Sequence, residues 1–228
     1  MYMWEMIQAN MPFLLRGAWN TFSLSISAMI ISLVIGFVVG LMRCAKNPLI
    51  NKVALVYIEI WRGVPMIVTI LFTYFALPEI MRIIVRVNLN SFTAMLVSCV
   101  LWTSANAAET VRGAVNAIPF GQTEAAMALG MSYFKRLKLV ILPQAIKIMI
   151  PPMIGLFTLL LKGTAIGFII EYRELIRVGQ ITIERLVMSG NSFASIQIYS
   201  LIMIMYFIMC YPLSLISAYY ERKLAVGS

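Results

Sequence analysis

The sequence predicts an all-α membrane protein with five transmembrane helices, and two observations support this fold class. Of the 228 residues, 61% are hydrophobic, and the mean hydropathy is +0.91, which excludes an ordinary soluble domain. The 18 Lys and Arg residues stand mostly in short clusters between apolar runs, a pattern typical of the flanks of membrane segments. No polar linker interrupts the chain, so we expect residues 1–228 to form a single transmembrane domain.

The composition also excludes several classes of function. The net charge of +9 could indicate a nucleic-acid partner, but its placement beside apolar runs favours membrane flanks, and we expect no nucleic acid. The chain has no His, and all nine acidic residues are Glu, which excludes His-based metal or acid–base chemistry. Cys44, Cys99 and Cys210 are too widely spaced for a zinc site or a disulfide framework. We therefore expect no metal site and no catalytic residues.

The first predicted span, Gly17–Met42, carries no charge and is long enough to cross a hydrocarbon core of about 30 Å. Small residues recur within it near helical spacing, and such residues let helices pack closely in lipid. They are Ser25, Ser32, Gly36 and Gly40. Three basic residues follow in a short loop, at positions 43, 46 and 52. By the positive-inside rule this loop is cytoplasmic, which places the N-terminus outside.

The second predicted span runs from about Val53 to Leu77 and contains Glu59, Arg62 and Pro65. Charges at membrane depth are costly and usually face protein or water. Two interpretations stay open, a structural ion pair between Glu59 and Arg62 beside a proline kink, or a role in lining a transport path. Arg62 is also a candidate contact for an α-carboxylate, because a guanidinium can bind one bidentately.

Three further spans are predicted over about 91–108, 140–161 and 194–219, and the last of these brings the C-terminus inside. Asn106 and Glu109 make the inner end of the third span polar. An outside loop is expected from Pro78 to Asn90, and an amphipathic outside helix over 175–194.

Residues 119–152 form the most polar long insert between the apolar runs. Thr123 is predicted to cap a helix whose first turn carries Glu124, and Gly130 to end that helix. Ser132 is predicted to cap a second helix, and prolines at 143, 151 and 152 are predicted to break the chain that follows.

The stretch QTEAAMALG, followed by a basic amphipathic turn, LPQA and PP, resembles the EAA loop of ABC importer permeases, most closely the polar amino acid family. YIEIWRGVP, SANAAETVRGA and LKGTAIGFIIEYREL are similar to three further signatures of that family, so the resemblance covers nearly the whole chain. Gly163 stands where the family usually has Asp, which weakens the case for a cationic amino acid, because a buried cation needs a counter-charge.

The resemblance implies an ABC type I importer permease fold in the bacterial cytoplasmic membrane, with a cytoplasmic coupling loop at about 113–138. It implies docking of an ATPase at Gln122, Glu124, Ala125, Ala126, Leu129 and Gly130. It also implies a substrate path near Glu59, Arg62, Pro65, Asn106, Glu109, Lys162, Gly163, Thr164 and Glu174. Glu171 or Glu174 could supply the missing counter-charge, or could instead pair with Arg173 and Arg177 at the surface.

The expected partners are two ABC ATPase subunits, a second copy of the chain or a sister permease, an extracytoplasmic binding protein, an amino acid substrate and the lipid bilayer. The chain has no G-x-x-x-x-G-K-[ST] loop, so ATP and Mg²⁺ are expected on the partner ATPase and no cofactor on this chain. The alternative is a proton-coupled secondary carrier in which Glu59 or Glu109 titrates; it would leave the EAA-like loop unexplained. A purely structural membrane subunit is a third reading.

Overall fold

The computed structural model describes residues 3–84 and 90–226, with side chains at 8–81 and 90–224. All regular elements in these ranges are helical. The helices are α1 (Met3–Arg43), α2 (Pro48–Gly63), α3 (Met66–Leu71), α4 (Leu77–Ile84), α5 (Ser91–Asn116), α6 (Phe120–Ala128), α7 (Tyr133–Arg136), α8 (Leu142–Gly163), α9 (Leu175–Met188) and α10 (Ala194–Val226). Two π-helical turns and one 3₁₀ segment continue neighbouring helices, at Phe72–Ala76, Leu137–Ile141 and Thr164–Ile170.

Four helical stretches are long and apolar enough to cross a membrane, Gln8–Arg43, Ser91–Asn116, Tyr133–Ile170 and Ala194–Leu224. The predicted second span differs from a single straight helix. Helix α2 and the stretch Met66–Met81 meet the same criterion only together, and they are bent by 99° where they join. The part of the chain that the structure describes therefore has four spans, or five if the bent pair counts as one.

The bend has a local cause at Pro65. This residue has φ −56° and ψ 136°, so the chain leaves the helical region for one residue before α3 begins. Proline lacks the N–H that would continue the hydrogen bonds of α2, and it disfavours a helical residue before it. The predicted outside loop, Pro78–Asn90, begins within α4, and its residues 85–89 lie outside the described residues.

Other prolines do not end helices where breaks are predicted. Pro143 lies in the first turn of α8, and the predicted break at Pro151 and Pro152 is wrong because α8 continues through both. The hydroxyl of Ser217 donates a hydrogen bond of 3.2 Å to the carbonyl oxygen of Pro151, so a neighbouring helix supplies a polar partner there.

The chain divides into two compact units. The first consists of Met1–Met29, Val64–Val100 and Thr158–Pro212, and the second of Ile30–Gly63, Leu101–Phe157 and Leu213–Ser228. The long helices α1, α5, α8 and α10 supply residues to both.

The core of the first unit is formed by α1, α9 and α10. Its buried members are Leu14, Leu175, Val178, Ile198, Ile202 and Met205. Gly17 permits the approach of α1 to α9, because a Cβ there would lie 3.0 Å from the Cβ of Val178. The predicted amphipathic helix is confirmed as α9, which ends at Met188 and is followed by Gly190 at φ 88°.

The second unit is built around the contact of α1 with α5. A Cβ at Gly36 would lie 2.6 Å from the Cβ of Ala107, and a Cβ at Gly40 would lie 2.6 Å from the Cβ of Val111. Ser25 in the first unit and Ser32 in the second are fully buried as well. The predicted packing face of small residues on α1 is therefore confirmed.

Two glycine-to-alanine changes test this close approach. Gly36→Ala should lower the free energy of unfolding by about 1–3 kcal/mol, because the new methyl group must displace α5. Gly113→Ala is the matched control, since no atom lies within 4 Å of a Cβ at Gly113. Because alanine favours the helix more than glycine does, the control should be neutral or stabilising by about 0.5–1 kcal/mol. Thermal unfolding of the purified variants in detergent measures both; equal midpoints would contradict the close packing.

Candidate functional site

Helix α6 of the predicted coupling loop begins earlier than the sequence suggests. Pro119 occupies the N-cap position, with φ −54° and ψ 135°, and the helix starts at Phe120. The predicted Thr123 cap is wrong, because Thr123 lies inside the helix and no side chain caps the first turn. Glu124 consequently falls outside the first turn, so the proline rather than a capping side chain sets the start of the helix.

The end of α6 confirms the role predicted for Gly130. This glycine has φ 70°, a conformation that L side chains adopt at a cost. Its N–H donates to the carbonyl oxygen of Met127 at 2.9 Å, and the N–H of Met131 donates to that of Ala126 at 3.1 Å. These two bonds define a Schellman motif, so α6 ends with a fixed reversal of direction.

The second short helix, α7, follows directly. Ser132 is its N-cap residue, as predicted, with an extended backbone at φ −64° and ψ 160°, although its side chain makes no capping hydrogen bond. Helix α7 runs on through a π-helical turn into α8. The amide of Gln144 in α8 donates to Gln122 Oε1 at 3.3 Å, so α6 is also tied to the long helix that it precedes.

The coupling loop exposes most of its predicted contact residues. Ala126 is buried, whereas Gln122, Glu124, Ala125, Leu129 and Gly130 are exposed. Large apolar side chains are exposed beside them, with Leu129 78% and Phe134 80% accessible, together with Phe120 and Met127. Phe120, Met127 and Leu129 lie between two candidate spans, so burial in lipid does not account for them. Exposed apolar patches are typical of protein–protein or membrane interaction sites.

Four predicted substrate-path residues lie in the second unit. Glu109 accepts a hydrogen bond of 2.9 Å from Nε of Arg112, one helical turn later. Glu59 and Arg62 are both exposed, and within the described chain they form no ion pair with each other, so the structural ion pair considered for them is absent. The amide of Asn106 donates to a backbone carbonyl of its own helix at 2.8 Å.

The remaining path residues lie in the first unit. Pro65 stands at the helix bend, and Lys162 is exposed in the last turn of α8. A Cβ at Gly163 would lie 3.2 Å from the sulfur of Met66, so an apolar side chain faces the position where the family usually has a carboxylate. Thr164 is buried, and its hydroxyl donates to the carbonyl oxygen three residues earlier at 2.8 Å.

Glu174 has a structural function that the sequence does not reveal. Its side chain is fully buried and caps α9, accepting hydrogen bonds from the N–H groups of Ile176 at 2.7 Å and Arg177 at 2.8 Å. The hydroxyl of Tyr206 in α10 donates to the same carboxylate at 3.2 Å. The predicted alternative, an ion pair with an arginine at the surface, is wrong for Glu174. It is correct for Glu171, whose Oε2 lies 2.7 Å from Nη2 of Arg177.

The segment before α9 is bound to α1 by three hydrogen bonds. The hydroxyl of Tyr172 donates to the carbonyl oxygen of Asn20 at 3.1 Å, and the amide of Asn20 donates to that of Arg173 at 2.9 Å. The N–H of Leu175 donates to the hydroxyl of Thr21 at 3.1 Å. Sequence reasoning missed Asn20, Thr21 and Tyr206 because their partners lie far away along the chain and no local pattern links them.

Burial raises the pKa of Glu174 to about 7, although its three hydrogen-bond donors lower it. A carboxyl group whose pKa is raised on folding holds its proton in the folded state at a pH where the unfolded chain has released it. The contribution of Glu174 to the free energy of unfolding therefore falls as the pH rises from 4.5, the ordinary pKa, to about 7. Above that pH the contribution is constant.

Glu174→Gln should remove this pH dependence. Relative to Glu174→Gln, the wild type should lose stability between pH 5 and pH 7.5, by at most about 3 kcal/mol. Thermal unfolding of both proteins across this range measures the difference. Glu184→Gln makes the same chemical change at an exposed position of α9 and is the matched control. A stability difference between wild type and Glu174→Gln that does not change with pH would contradict the pKa shift.

Comparison with known proteins identifies the family of the chain. The model of the family described as "Binding-protein-dependent transport system inner membrane component" matches residues 32–226. The glutamine transport system permease protein GlnP of Escherichia coli (strain K12) is 35% identical over 223 residues, 98% of each chain. The probable glutamine ABC transporter permease protein GlnP of Bacillus subtilis (strain 168) is 34% identical, over 91% of this chain and 92% of the relative.

Solved structures show the same fold. The crystal structure of an amino acid ABC transporter with histidines matches with a TM-score of 0.84 and 30% identity, over 98% of this chain and 99% of that one. An inward-facing structure of the MetNI methionine ABC transporter matches with a TM-score of 0.72 at 20% identity, which supports the fold alone.

These matches show an inner-membrane protein whose energy comes from a separate ATPase and whose substrate comes from a binding protein. The family assignment leaves the proton-coupled carrier without support. The chain belongs to the family of binding-protein-dependent transport system inner membrane components, as a permease subunit of an ABC importer for amino acids.

Proposed function

We propose that residues 113–138 are the surface through which this permease receives force from its ATPase. The observation that carries the proposal is the exposed apolar patch on a loop whose conformation is fixed at both ends of α6. Gln122, Glu124, Ala125, Ala126, Leu129 and Gly130 are the proposed docking segment. A rigid segment suits this task, because it transmits a displacement that a flexible loop would absorb.

The assembly we propose has two ATPases and two permeases, the second permease being another copy or a sister subunit. ATP and Mg²⁺ bind to the ATPases, and this chain binds no cofactor. Closure of the ATPase dimer would draw the two coupling loops together and open the path to the side where the binding protein delivers substrate. The coupling loop stands on the cytoplasmic side in this arrangement.

The charge distribution supports that orientation. The second unit, which contains the coupling loop, carries eleven of the 18 Lys and Arg residues and four of the nine Glu residues. An excess of positive charge marks the cytoplasmic side of membrane proteins. We therefore propose that the N-terminus is outside and the C-terminus inside.

The proposed substrate is a neutral polar amino acid, with glutamine as the first candidate. Two relatives of similar length are named for glutamine. At Gly163 the neighbouring group is the sulfur of Met66, which would not neutralise a cationic side chain. The path itself is proposed to include Glu59, Arg62, Pro65, Asn106, Glu109, Lys162, Gly163 and Thr164. Glu174 is the least suited of the predicted path residues, because its carboxylate already caps α9.

Gly130→Pro should prevent coupling to the ATPase. Proline removes the N–H that donates to Met127 and cannot adopt φ 70°, so α6 would lose its fixed end. Uptake and co-purification of the ATPase should both fall by about tenfold or more, for a loss of at least about 1.4 kcal/mol in docking. The protein should still be found in the membrane fraction.

Gly190→Pro is the matched control for this change. Gly190 has φ 88° and ends α9 with the same type of hydrogen bond, from its N–H to Val187. The control should damage α9 but leave the ATPase bound. If Gly130→Pro retained normal uptake in a correctly inserted protein, the loop could not be the route of force transmission.

The substrate can be tested by purifying the permease with its ATPase and reconstituting both in lipid. ATPase activity would be measured with the binding protein and a panel of glutamine, glutamate, histidine and arginine. Glutamine should give the largest stimulation and arginine little, because no counter-charge stands at Gly163. Stimulation by arginine equal to that by glutamine would refute the proposed substrate class, whereas the absence of any associated ATPase would refute the coupling proposal.

A further inference from the structure

A cleft of about 490 Å³ opens in the second unit beside the coupling loop. It is bounded by the end of α1, the end of α5, the start of α6 and the start of the helix that contains α7. Five of its lining side chains carry polar atoms: Cys44, Asn116, Thr123, Tyr133 and Arg136. The cleft adjoins the docking patch and shares Phe120 with it, whereas Met127, Leu129 and Phe134 do not line it.

Positive charge is concentrated around this cleft. The guanidinium of Arg136 lies 5.8 Å from the centre of the Tyr133 ring, and the ammonium of Lys46 lies 5.8 Å from the same centre. Arg43 and Arg112 are close enough to the thiol of Cys44 to interact with it electrostatically. Arg136 thus lines the cleft, Lys46 lies by the ring of a lining tyrosine, and Arg43 and Arg112 act on the thiol of a lining cysteine.

These charges are only partly compensated. Glu109 is engaged by Arg112, and Arg43 donates to the amide oxygen of Asn51, which is neutral. In the described part of the chain, neither Lys46 nor Arg136 has a carboxylate within 4 Å. Side chains that stack on an aromatic ring with no counter-ion can still bind an anion, because the ring leaves their N–H donors available.

The position of the cleft along the helices indicates the source of such an anion. One candidate span ends at Arg43, a second ends at Asn116, and a third begins at Tyr133. All three of these span ends lie at or next to the cleft. The cleft therefore lies at the ends of three candidate spans, where phospholipid headgroups are one source of an anion.

We propose that this cleft binds a phosphate-bearing anion, the chemistry shared by phospholipid headgroups and free phosphate. Arg136 and Lys46 would provide the charge, and the hydroxyls of Tyr133 and Thr123 and the amide of Asn116 would provide further hydrogen-bond donors. Arginine matches a phosphate through two parallel N–H donors, and lysine adds a point charge. An occupied cleft would join the loop between α1 and α2 to the base of α7, and so would fix the coupling loop from its second side.

The chain contains its own reporter for this site. Cys44 lines the cleft and is partly accessible, whereas Cys99 and Cys210 are buried. An occupied cleft should slow alkylation of Cys44 by an uncharged maleimide, both by covering the thiol and by adding negative charge beside it. Intact-mass measurement of the permease follows the reaction.

Two experimental arms distinguish binding of a phospholipid headgroup from binding of free phosphate. In phosphatidylcholine nanodiscs, inorganic phosphate would be compared with chloride at equal ionic strength. In a second arm, phosphatidylglycerol would replace phosphatidylcholine with no phosphate present. Slower alkylation in the first arm identifies a site for the free ion, and slower alkylation in the second arm identifies a headgroup site. No change in either arm overturns the proposal.

Two pairs of variants decide whether the cleft is responsible. Arg136→Gln and Lys46→Gln should each weaken the protection about tenfold, the effect of losing one charge-assisted hydrogen bond. Arg222→Gln and Lys223→Gln remove equivalent charges from the exposed end of α10 in the same unit and should leave the protection unchanged. Equal loss in both pairs would indicate a general charge effect and would overturn the proposal.

Native mass spectrometry of the same complexes gives a second readout that does not depend on Cys44. The wild type should retain phosphatidylglycerol or phosphate that Arg136→Gln and Lys46→Gln release, whereas Arg222→Gln should retain it. Retention equal to wild type in all variants would overturn the proposal. Since these are binding measurements, their outcome is independent of whether residues 113–138 prove to couple the ATPase.

Discussion

The close contact of α1 with α5 is the constraint on which the second unit depends. Lipid tails are as apolar as leucine, so helices in a membrane gain little from burying apolar surface and depend on close packing. Gly36 and Gly40 provide it, because neither position has room for a side chain against α5. Helix α5 in turn carries Glu109 and Arg112 and ends where the coupling loop begins. The placement of the coupling loop therefore rests on two glycines that lie far from it in the sequence.

The sequence predicts the number and location of the helices well, because each long apolar run must become a helix in lipid. It predicts the effect of proline poorly. Pro65 ends a helix and bends the chain, Pro119 starts one, and Pro151 sits inside α8. The residue is the same in each case, and its local chemistry is the same. The difference lies in the neighbours that satisfy or fail to satisfy the backbone groups that each proline frees, and these are set by tertiary structure.

Local patterns similarly predict a coupling loop but not the partners of the carboxylates. Gly130 could be predicted because a helix end that requires positive φ depends on the residue itself. The Glu109–Arg112 pair is also local, although the sequence drew attention to Arg62 instead. Glu174 could not be assigned from sequence, since its function depends on Tyr206, 32 residues away and in a different helix. From sequence alone, a buried carboxylate that caps a helix cannot be distinguished from one that contacts a substrate, because its hydrogen-bond donors are not known.

The partners of these carboxylates bear on whether the protein could be driven by protons. A carrier driven by protons needs an acid that can exchange a proton while the transport path opens. Glu109 is held by an arginine, and Glu174 is fixed by two backbone donors and a tyrosine as the cap of a helix. Both carboxylates hold structure, and Glu59 is exposed. Glu109 and Glu174 thus hold helices in place, which suits a subunit whose energy comes from a separate ATPase.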